Sequence, residues 1–354
     1  MIRFVIADDL TGAADSAVHL GAVGRVRITY PPAEAWSDGL GAAFVQVRDT
    51  ETRSLPDSQA ARVVGQCCSA LIRGFGTAPK VFKKVDSTLR GAVQAELLAC
   101  REALSRRLVV LAPSLPSQGR TVLRGRLIVD GQDHGPVLEG AEVIAPGRVA
   151  AGSGLKSLRG PLVIADAATD ADLDLIARGI EGHEDILPAG SAGLAAAIAR
   201  RKGRQSVASP RLRPSAVVVA VGTRHERARG HVDAVRAARL REVSVFDLLE
   251  EPEGDAGDLS ARLAQRTVAE LRALPPGSAI IATGGDTALA VCRELGATAL
   301  LPQGELLPGV VWNELEGSDT MLVTKAGGFG EPDVLLAAIR LLLGSPKGKS
   351  GGDS

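Results

Sequence analysis

One stretch decides the fold: Arg3-Phe4-Val5-Ile6-Ala7-Asp8-Asp9-Leu10-Thr11-Gly12-Ala13-Ala14-Asp15. An apolar run of strand length stops abruptly at two adjacent carboxylates, and a helix of small residues starts directly after Thr11 and Gly12. Parallel sheets present their ligand-binding loops at the carboxyl ends of their strands. The stretch therefore predicts an α/β fold whose first strand ends in a ligand loop.

A simpler interpretation is that Asp8 and Asp9 only cap the helix that follows them. One capping side chain would be enough for that purpose, and two adjacent carboxylates repel each other. The pair is therefore better explained by a chemical task than by capping alone.

Composition narrows the class of protein. The 354 residues exceed what one hydrophobic core usually serves, so two domains are expected. Hydrophobic residues make up 45% and aromatic residues 3%, which favours tightly packed helix-on-sheet layers over a surface for stacking bases. The 41 basic residues balance 41 acidic ones, so no global field attracts nucleic acid or an anionic membrane.

The compartment is expected to be the cytoplasm. The four cysteines show no CxxC spacing, which predicts reduced and mostly buried thiols rather than a zinc site or a disulfide framework. No apolar run reaches the roughly 18 to 20 residues that span a bilayer. The amino-terminal apolar run ends at Asp8 and is too short for a signal peptide.

The pattern of strand, polar loop and helix recurs through the first half. The run from Lys80 to Lys84 leads into Asp86, Ser87, Thr88 and Arg90 before a helix from about residue 92. Alternate strand residues share a face, so Lys84 and Asp86 should reach the same loop end. Ser87 and Thr88 have the alternative role of helix caps, whereas Arg90 beside a helix amino terminus calls for an anionic partner.

Domain limits follow from composition. Residues 123–160 are rich in glycine and predict no definite element, and residues 200–210 are charged and end in proline, as linkers often do. We therefore expect one domain over residues 1–205, a second over residues 206–345 and a disordered tail over residues 346–354.

Three loops in the second half place glycines between a buried strand and a helix. They begin at Gly222, Gly284 and Gly327. Glycine lets the backbone approach a ligand, and helix amino termini attract phosphate, so the three loops predict a nucleotide site. None is a Walker A motif, and no GxGxxG follows a strand, which argues against a dinucleotide site.

Taken together, the motifs resemble the four-carbon acid sugar kinase family. The resemblance covers nearly the whole chain and is most specific in Asp8-Asp9-Leu10-Thr11-Gly12-Ala13 and Lys84-Val85-Asp86-Ser87-Thr88-Leu89-Arg90-Gly91. It implies two domains, each a largely parallel sheet flanked by helices, with a ligand cleft between them. It also implies that the protein transfers phosphate from ATP, with Mg²⁺, to a terminal hydroxyl of a tetronate or 3-oxo-tetronate.

The resemblance assigns roles to particular residues. Asp9 or Asp8 would accept or orient the proton of the substrate hydroxyl, and Lys84 would neutralise charge. The substrate would contact Thr11, Arg53, Asp86, Ser87, Thr88, Arg90 and Arg120, of which Arg90 and Arg53 would clamp its carboxylate. The nucleotide would contact Gly190, Ser191, Gly222, Thr223, Gly284, Gly285, Asp286, Thr287, Gly327, Gly328, Phe329 and Gly330. The resemblance does not assign the residues that bind Mg²⁺, and a homodimer is possible but not specified.

Two alternatives compete with the kinase. A phosphatase of the haloacid dehalogenase type also opens with a strand and aspartates, but its chemistry needs carboxylates two positions apart, whereas Asp8 and Asp9 are adjacent. A binding protein without catalytic activity could use the same residues for a metabolite, and it would consume no ATP.

Overall fold

The structure is a computed structural model that describes residues 2–21, 25–32, 36–37, 40–41, 44–76, 79–203, 213–249 and 256–344. Contacts between Cα atoms divide the chain into two compact units. The first comprises Met1–Ser206 and Thr298–Pro302, and the second comprises Val207–Ala297 and Gln303–Ser354. The predicted domain boundary at 205/206, most of the predicted linker and the predicted tail lie outside the described residues.

Strands and helices alternate through most of the first unit. Its strands are β1 (Phe4–Ala7), β2 (Val26–Thr29), β3 (Val45–Asp49), β4 (Val81–Lys84), β5 (Leu108–Ala112), β6 (Arg120–Leu123), β7 (Arg126–Val129), β8 (Gln132–Pro136), β9 (Glu142–Ile144), β10 (Leu162–Ala165) and β11 (Ile186–Gly190). Its helices are α1 (Leu10–Leu20), α2 (Asp57–Phe75), α3 (Val93–Ala103), α4 (Pro146–Ala150), α5 (Ser153–Lys156), α6 (Asp170–Ile180) and α7 (Ala192–Arg200).

The main sheet of the first unit is parallel. Its strands follow the order β2-β3-β1-β4-β11-β5-β10-β9, and each adjacent pair runs in the same direction. The strands β1, β5 and β10 are apolar throughout because both faces of such a sheet are covered. Val64 of α2 and Leu97 of α3 pack on one face in a core with Phe4 and Ile6. The carboxyl ends of β1, β3 and β4 therefore lie side by side.

The second unit repeats the same plan. Its strands are β12 (Val217–Val221), β13 (Val243–Asp247), β14 (Ala279–Thr283), β15 (Ala299–Leu307), β16 (Val310–Glu316) and β17 (Ser318–Lys325), and its helices are α8 (Glu226–Ala237), α9 (Ala256–Ala273), α10 (Gly285–Glu294) and α11 (Val334–Leu343). The first four residues of β15 belong to the first unit. The strands β13-β12-β14-β17 are parallel neighbours, and β16 joins β17 antiparallel. The predicted α/β class, with largely parallel sheets flanked by helices, is confirmed.

Residues 120–136 form a small antiparallel sheet, β6-β7-β8, that the sequence analysis did not predict. The turns between its strands are Arg124-Gly125 and Asp130-Gly131, and all four residues have positive φ. Asp-Gly is a favoured hairpin turn because both central residues of a type I′ turn need positive φ. Asp130-Gly131 was therefore the signal that could have located this sheet. Among the described helices, none combines the length and the apolar character of a membrane span.

Candidate active site

Asp9 caps the first helix, so the capping interpretation holds for one of the two carboxylates. It has extended backbone geometry, and its Oδ1 accepts a hydrogen bond of 3.0 Å from the backbone N–H of Gly12. Its Oδ2 accepts a second bond of 2.7 Å from the Thr11 hydroxyl. Asp8 makes neither contact. Capping therefore explains Asp9 in part and does not explain Asp8.

Arg53 removes the repulsion between the two carboxylates. It lies in the loop after β3, and its Nε is 2.8 Å from Asp8 Oδ2 while its Nη1 is 2.7 Å from Asp9 Oδ2. The backbone N–H groups of Thr52 and Arg53 also donate to the Asp8 carbonyl at 3.2 and 3.3 Å. Two of the guanidinium nitrogens, Nε and Nη1, are therefore already paired with carboxylates of the protein itself. Arg53 is thus placed to hold the aspartates, and its contact with a substrate carboxylate stays a prediction.

Lys84 brings a second cation to the same place. The side chain is buried, and its Nζ lies 4.0 Å from Asp8 Oδ1, an oxygen that accepts no hydrogen bond within the described residues. Burial raises the pKa of Asp8, but Arg53, Lys84 and Lys83 outweigh burial and hold the pKa below its ordinary value. Asp8 is therefore a carboxylate at neutral pH, with one oxygen not engaged in a hydrogen bond.

Arg90 finds its anionic partner within the protein. Its Nε and Nη2 lie 2.8 and 2.9 Å from the two oxygens of Asp86, and Thr88 donates to Asp86 Oδ2 at 2.6 Å. Lys84 and Asp86 are both buried at this loop end, as the alternation predicted. Burial raises the pKa of Asp86, but Arg90, Arg53 and Lys84 lower it far more. Arg90 keeps an exposed side chain, so it can still contact a ligand.

Ser87 and Thr88 are not helix caps. Helix α3 begins at Val93, and Ala92 occupies the capping position without a side-chain bond. Thr88 binds Asp86 instead, and the buried Ser87 hydroxyl has no hydrogen-bond partner among the residues that the structure describes. The predicted substrate-binding role of both residues stays a prediction, but the capping alternative is wrong.

The other residues predicted from the first half are also buried near strand ends. Arg120 begins β6, and its guanidinium donates to the Gln118 carbonyl. Gly190 pairs with Lys84 between β11 and β4, and the Ser191 hydroxyl donates to the Ser114 carbonyl at 2.7 Å while capping α7. Gly190 and Ser191 thus belong to the same unit as Asp8. Capping gives Ser191 a structural role, and its contact with a nucleotide stays a prediction.

The three glycine loops of the second unit converge. A Cβ added at Gly222 would overlap the Thr287 hydroxyl, and one added at Gly327 would lie 2.7 Å from Thr223 Cβ. A Cβ added at Gly328 would lie 2.9 Å from the His225 ring. The strands β12, β14 and β17 that precede these loops are parallel neighbours, so their carboxyl ends meet. The three glycines therefore let the loops pack directly against one another, because a side chain at any of them would overlap a neighbouring loop.

The remaining members of these loops are placed as follows. Gly284 has φ +95°, Gly285 and Asp286 begin α10, and Thr287 is buried in its first turn. Phe329 lies against Gly309, where an added Cβ would approach its ring to 2.7 Å, and Gly330 has φ +87°.

Lys325 and His231 were not singled out from the sequence. Lys325 is 1% exposed, and its Nζ donates to the Ala326 carbonyl at 3.1 Å and lies 3.5 Å from His231 Nδ1. Burial, and then the Lys325 charge, lower the pKa of His231 to about 4, so the imidazole is neutral at pH 7. The glycine loop after β17 therefore begins over a buried cation.

Asp49 is a third residue that was not predicted from the sequence. It ends β3 beside Ala7, is 1% exposed and accepts a bond of 2.9 Å from the Glu51 backbone N–H. Burial, and then the charges of Asp9, Glu51 and Asp8, raise the pKa of Asp49 well above its ordinary value. A strand pattern does not reveal which carboxylate at the end of a strand is buried.

Asp49→Asn should change how stability depends on pH. The unfolded chain releases the Asp49 proton near pH 4, whereas the folded chain keeps it, so this group lowers stability as the pH rises above 4. The asparagine variant does not lose stability in this way, because its amide does not titrate. We expect the Tm of the variant minus the Tm of the natural chain to be several degrees higher at pH 8 than at pH 5. Equal differences at both values in calorimetry would contradict the assignment.

Gly12→Ala should damage the site without damaging the fold. An added Cβ would overlap Lys84 Nζ and lie 2.5 Å from Asp9 Oδ1, both of which are ends of movable side chains. Displacing such groups by about 1 Å can cost about 10²-fold in rate, so we expect that loss in kcat with a nearly unchanged Tm. Gly65→Ala in α2 is the matched control, because nothing lies within 4 Å of its added Cβ. A Gly12→Ala protein with normal kcat would show that Lys84 is not needed where it lies.

Comparison with known proteins identifies the class of protein. A family model of a sugar-binding N-terminal domain matches residues 3–143, and a model of a nucleotide-binding C-terminal domain matches residues 197–335. The chain is 33% identical to D-threonate kinase of Bordetella bronchiseptica, with 96% of each chain covered. It is 27% identical to 3-oxo-tetronate kinase of Cupriavidus necator, again over 96% of each.

A crystal structure of a Salmonella typhimurium protein has the same fold, with a TM-score of 0.72 and 20% identity over 96% of this chain and 99% of that one. The chain therefore belongs to the four-carbon acid sugar kinase family.

Proposed function

We propose that the protein is an ATP-dependent kinase that phosphorylates a terminal hydroxyl of a small sugar acid of the tetronate or 3-oxo-tetronate type. The observation that carries the proposal is the Asp8 carboxylate, which Arg53 and Lys84 keep ionised while its buried Oδ1 accepts no hydrogen bond from the described part of the chain. Phosphoryl transfer needs little covalent help from a protein and much positioning and charge neutralisation. The names of the relatives, D-threonate kinase and 3-oxo-tetronate kinase, support the same substrate class.

The two aspartates have different tasks in this proposal. Asp8 accepts or orients the proton of the attacking hydroxyl through Oδ1, because that oxygen is not committed elsewhere. Asp9 anchors the arrangement, since its two oxygens already accept the Gly12 N–H and the Thr11 hydroxyl and pair with the Arg53 guanidinium. A positioned base contributes about 10²- to 10⁴-fold to such a reaction.

The cations divide between charge neutralisation and substrate binding. Lys84 offsets negative charge beside Asp8 as the hydroxyl attacks. Arg90, whose side chain is 61% exposed, binds the substrate carboxylate, with Ser87 and Thr88 beside it. Arg120 and Thr11 complete the proposed substrate contacts.

The second unit holds the nucleotide in this proposal. ATP supplies the phosphoryl group that is transferred. The converging glycine loops fit it, because they bring Thr223, Thr287 and the first turn of α10 together at the strand ends, and a helix amino terminus attracts phosphate. Mg²⁺ usually takes phosphate oxygens, waters and one or two carboxylates. Asp286 is the carboxylate within these loops and is the ligand we propose.

A coupled assay of ADP release over a panel of three- to six-carbon sugar acids tests the proposal. The expected result is ADP release that depends on one tetronate and yields its phosphate ester. Phosphate release from a generic phosphoester without ATP would favour the dehalogenase-type phosphatase. Binding of a tetronate with no ADP release would favour a protein that only binds it.

The proposal also covers the compartment and the partners of the enzyme. The four cysteines are buried free thiols, which fits the reducing cytoplasm. Its partners would be the sugar acid and ATP, without nucleic acid or membrane, and a homodimer is compatible with them. The ligand cleft between the domains stays a prediction.

A further inference from the structure

Two neighbouring lysines end strand β4, and their side chains point to opposite faces of the sheet. Lys84 points toward Gly12 of α1 and takes part in the proposed reaction. Lys83 points toward α3 and is completely buried. The proposed reaction assigns no task to Lys83.

Lys83 joins both ends of the loop that carries the proposed site residues. Its Nζ lies 2.7 Å from Oε2 of Glu96, in the first turn of α3, and donates to the carbonyl of Lys84 at 2.8 Å. The residues between these two contacts, 85–92, include Asp86 and Arg90. The buried ammonium therefore ties the end of β4 to the start of the helix that follows the loop.

Stability alone is a weak explanation for such a pair. Removing two charges from water costs several kcal/mol, and apolar residues of similar volume often replace a buried ion pair without loss. The Lys83 side chain is 0% exposed and that of Glu96 is 3% exposed. The loop, by contrast, needs restraint, because Leu89 has φ +62° and Gly91 has φ +87°.

We propose that Lys83 and Glu96 are positioning residues for the transfer reaction: their buried ion pair fixes loop 85–92 and presents the Lys83 charge to Asp8. The inference rests on the proposed kinase function. Lys83 acts through the backbone of Lys84 and through the field at Asp8, and it touches neither substrate nor nucleotide in this proposal. The role explains why a costly buried pair is placed beneath this loop.

The field at Asp8 comes from four parts of the first unit. The charged and titratable groups that face it are Asp9 on its own element, Asp49 and Arg53 at the end of β3, Lys83, Lys84 and Asp86 on and after β4, and Glu96 of α3 through Lys83. Lys83 is one of the three cations that hold the pKa of Asp8 down against burial. Its removal should therefore raise the pKa of Asp8, and removal of the Glu96 charge should lower it further.

The test compares Lys83→Met/Glu96→Leu with Glu96→Gln. The apolar double variant should keep the fold, whereas its kcat should fall about tenfold or more because the loop is less well held. The acid limb of its pH profile for kcat/KM should move to higher pH. Glu96→Gln keeps a hydrogen-bond acceptor for Lys83, so its kcat should fall less, and its acid limb should move to lower pH.

The exposed pair Lys80 and Glu184 provides the matched control. Its atoms are 3.5 Å apart, and its side chains are 46% and 72% exposed. Lys80→Met/Glu184→Leu should change neither kcat nor the acid limb. Circular dichroism at each pH confirms that all variants stay folded over the range compared.

Two outcomes would overturn the inference. The first is a folded Lys83→Met/Glu96→Leu protein with unchanged kcat and acid limb, and the second is a shift of both variants in the same direction. Failure of the proposed function gives a different result, because the natural chain would then release no ADP with any sugar acid. In that case binding of the sugar acid, measured by calorimetry in the same variants, still reports whether the pair positions loop 85–92.

Discussion

Asp8→Asn is expected to lower kcat by about 10²- to 10⁴-fold while the protein stays folded. Asparagine keeps the size of the side chain and can still accept the Arg53 Nε–H, but it cannot take a proton from the attacking hydroxyl. The KM for ATP should change little, because the residues proposed to hold the nucleotide belong to other loops. Steady-state kinetics with the best sugar acid of the panel measures both constants.

Asp9→Asn is the matched control for this experiment. Asparagine is as good a helix cap as aspartate, so its one oxygen can keep the bond from the Gly12 N–H, while its amide NH₂ faces Thr11 in place of the second oxygen. The expected loss in kcat is about tenfold, because the variant loses the oxygen that meets Arg53 and Thr11 but keeps Asp8, the proposed base. A larger loss for Asp9→Asn than for Asp8→Asn would reverse the two assignments.

The meeting of Asp8, Lys84 and Asp86 could be predicted from the sequence for a simple reason. Each residue ends or directly follows an apolar strand, and the carboxyl ends of neighbouring parallel strands lie at one edge of the sheet. Strand alternation then places Lys84 on the side of the sheet where α1 begins. Local pattern and sheet geometry are enough for this part of the site.

The role of Arg53 could not be derived in the same way. Its sequence position indicated a contact with substrate, whereas its contacts within the protein depend on how loop 50–53 folds over β1. The Thr50 hydroxyl donates to the Ala7 carbonyl at 2.8 Å, and Gly91, with φ +87°, would place a Cβ 3.0 Å from the Arg53 carbonyl. These are contacts between loops that are distant in sequence, and no local pattern encodes them.

Buried charge was the other feature that the sequence did not reveal. Lys83 and Lys325 stand in polar-looking strand ends, where a lysine is ordinarily exposed. In the structure each is buried at a strand end and donates to the carbonyl of the next residue, Lys84 or Ala326. The two units therefore use the same local device beneath a ligand loop, one with Glu96 as partner and the other with His231 nearby.

The largest effect on stability is expected for Arg53→Met. The change removes the cation that contacts Asp8 and Asp9 directly and Asp86 at 3.7 Å, and it leaves these buried carboxylates facing one another. Breaking a buried pair by removing one partner costs about 3 to 5 kcal/mol. Arg126→Met is the control, because the Arg126 and Asp133 side chains are 50% and 46% exposed and such surface changes stay within about 0.5 kcal/mol.

The pH dependence of the Arg53→Met effect identifies its cause. In the natural chain the pKa values of Asp8 and Asp86 lie below their ordinary values, so their stabilising contribution is complete above about pH 4 and is lost as the pH falls through the folded pKa values. Without Arg53 the same carboxyls take up protons at higher pH, which relieves their repulsion. The difference in Tm between the natural chain and the variant should therefore shrink as the pH falls from 7 toward 4. A constant difference would mean that Arg53 stabilises the protein by packing of its side chain rather than by its charge.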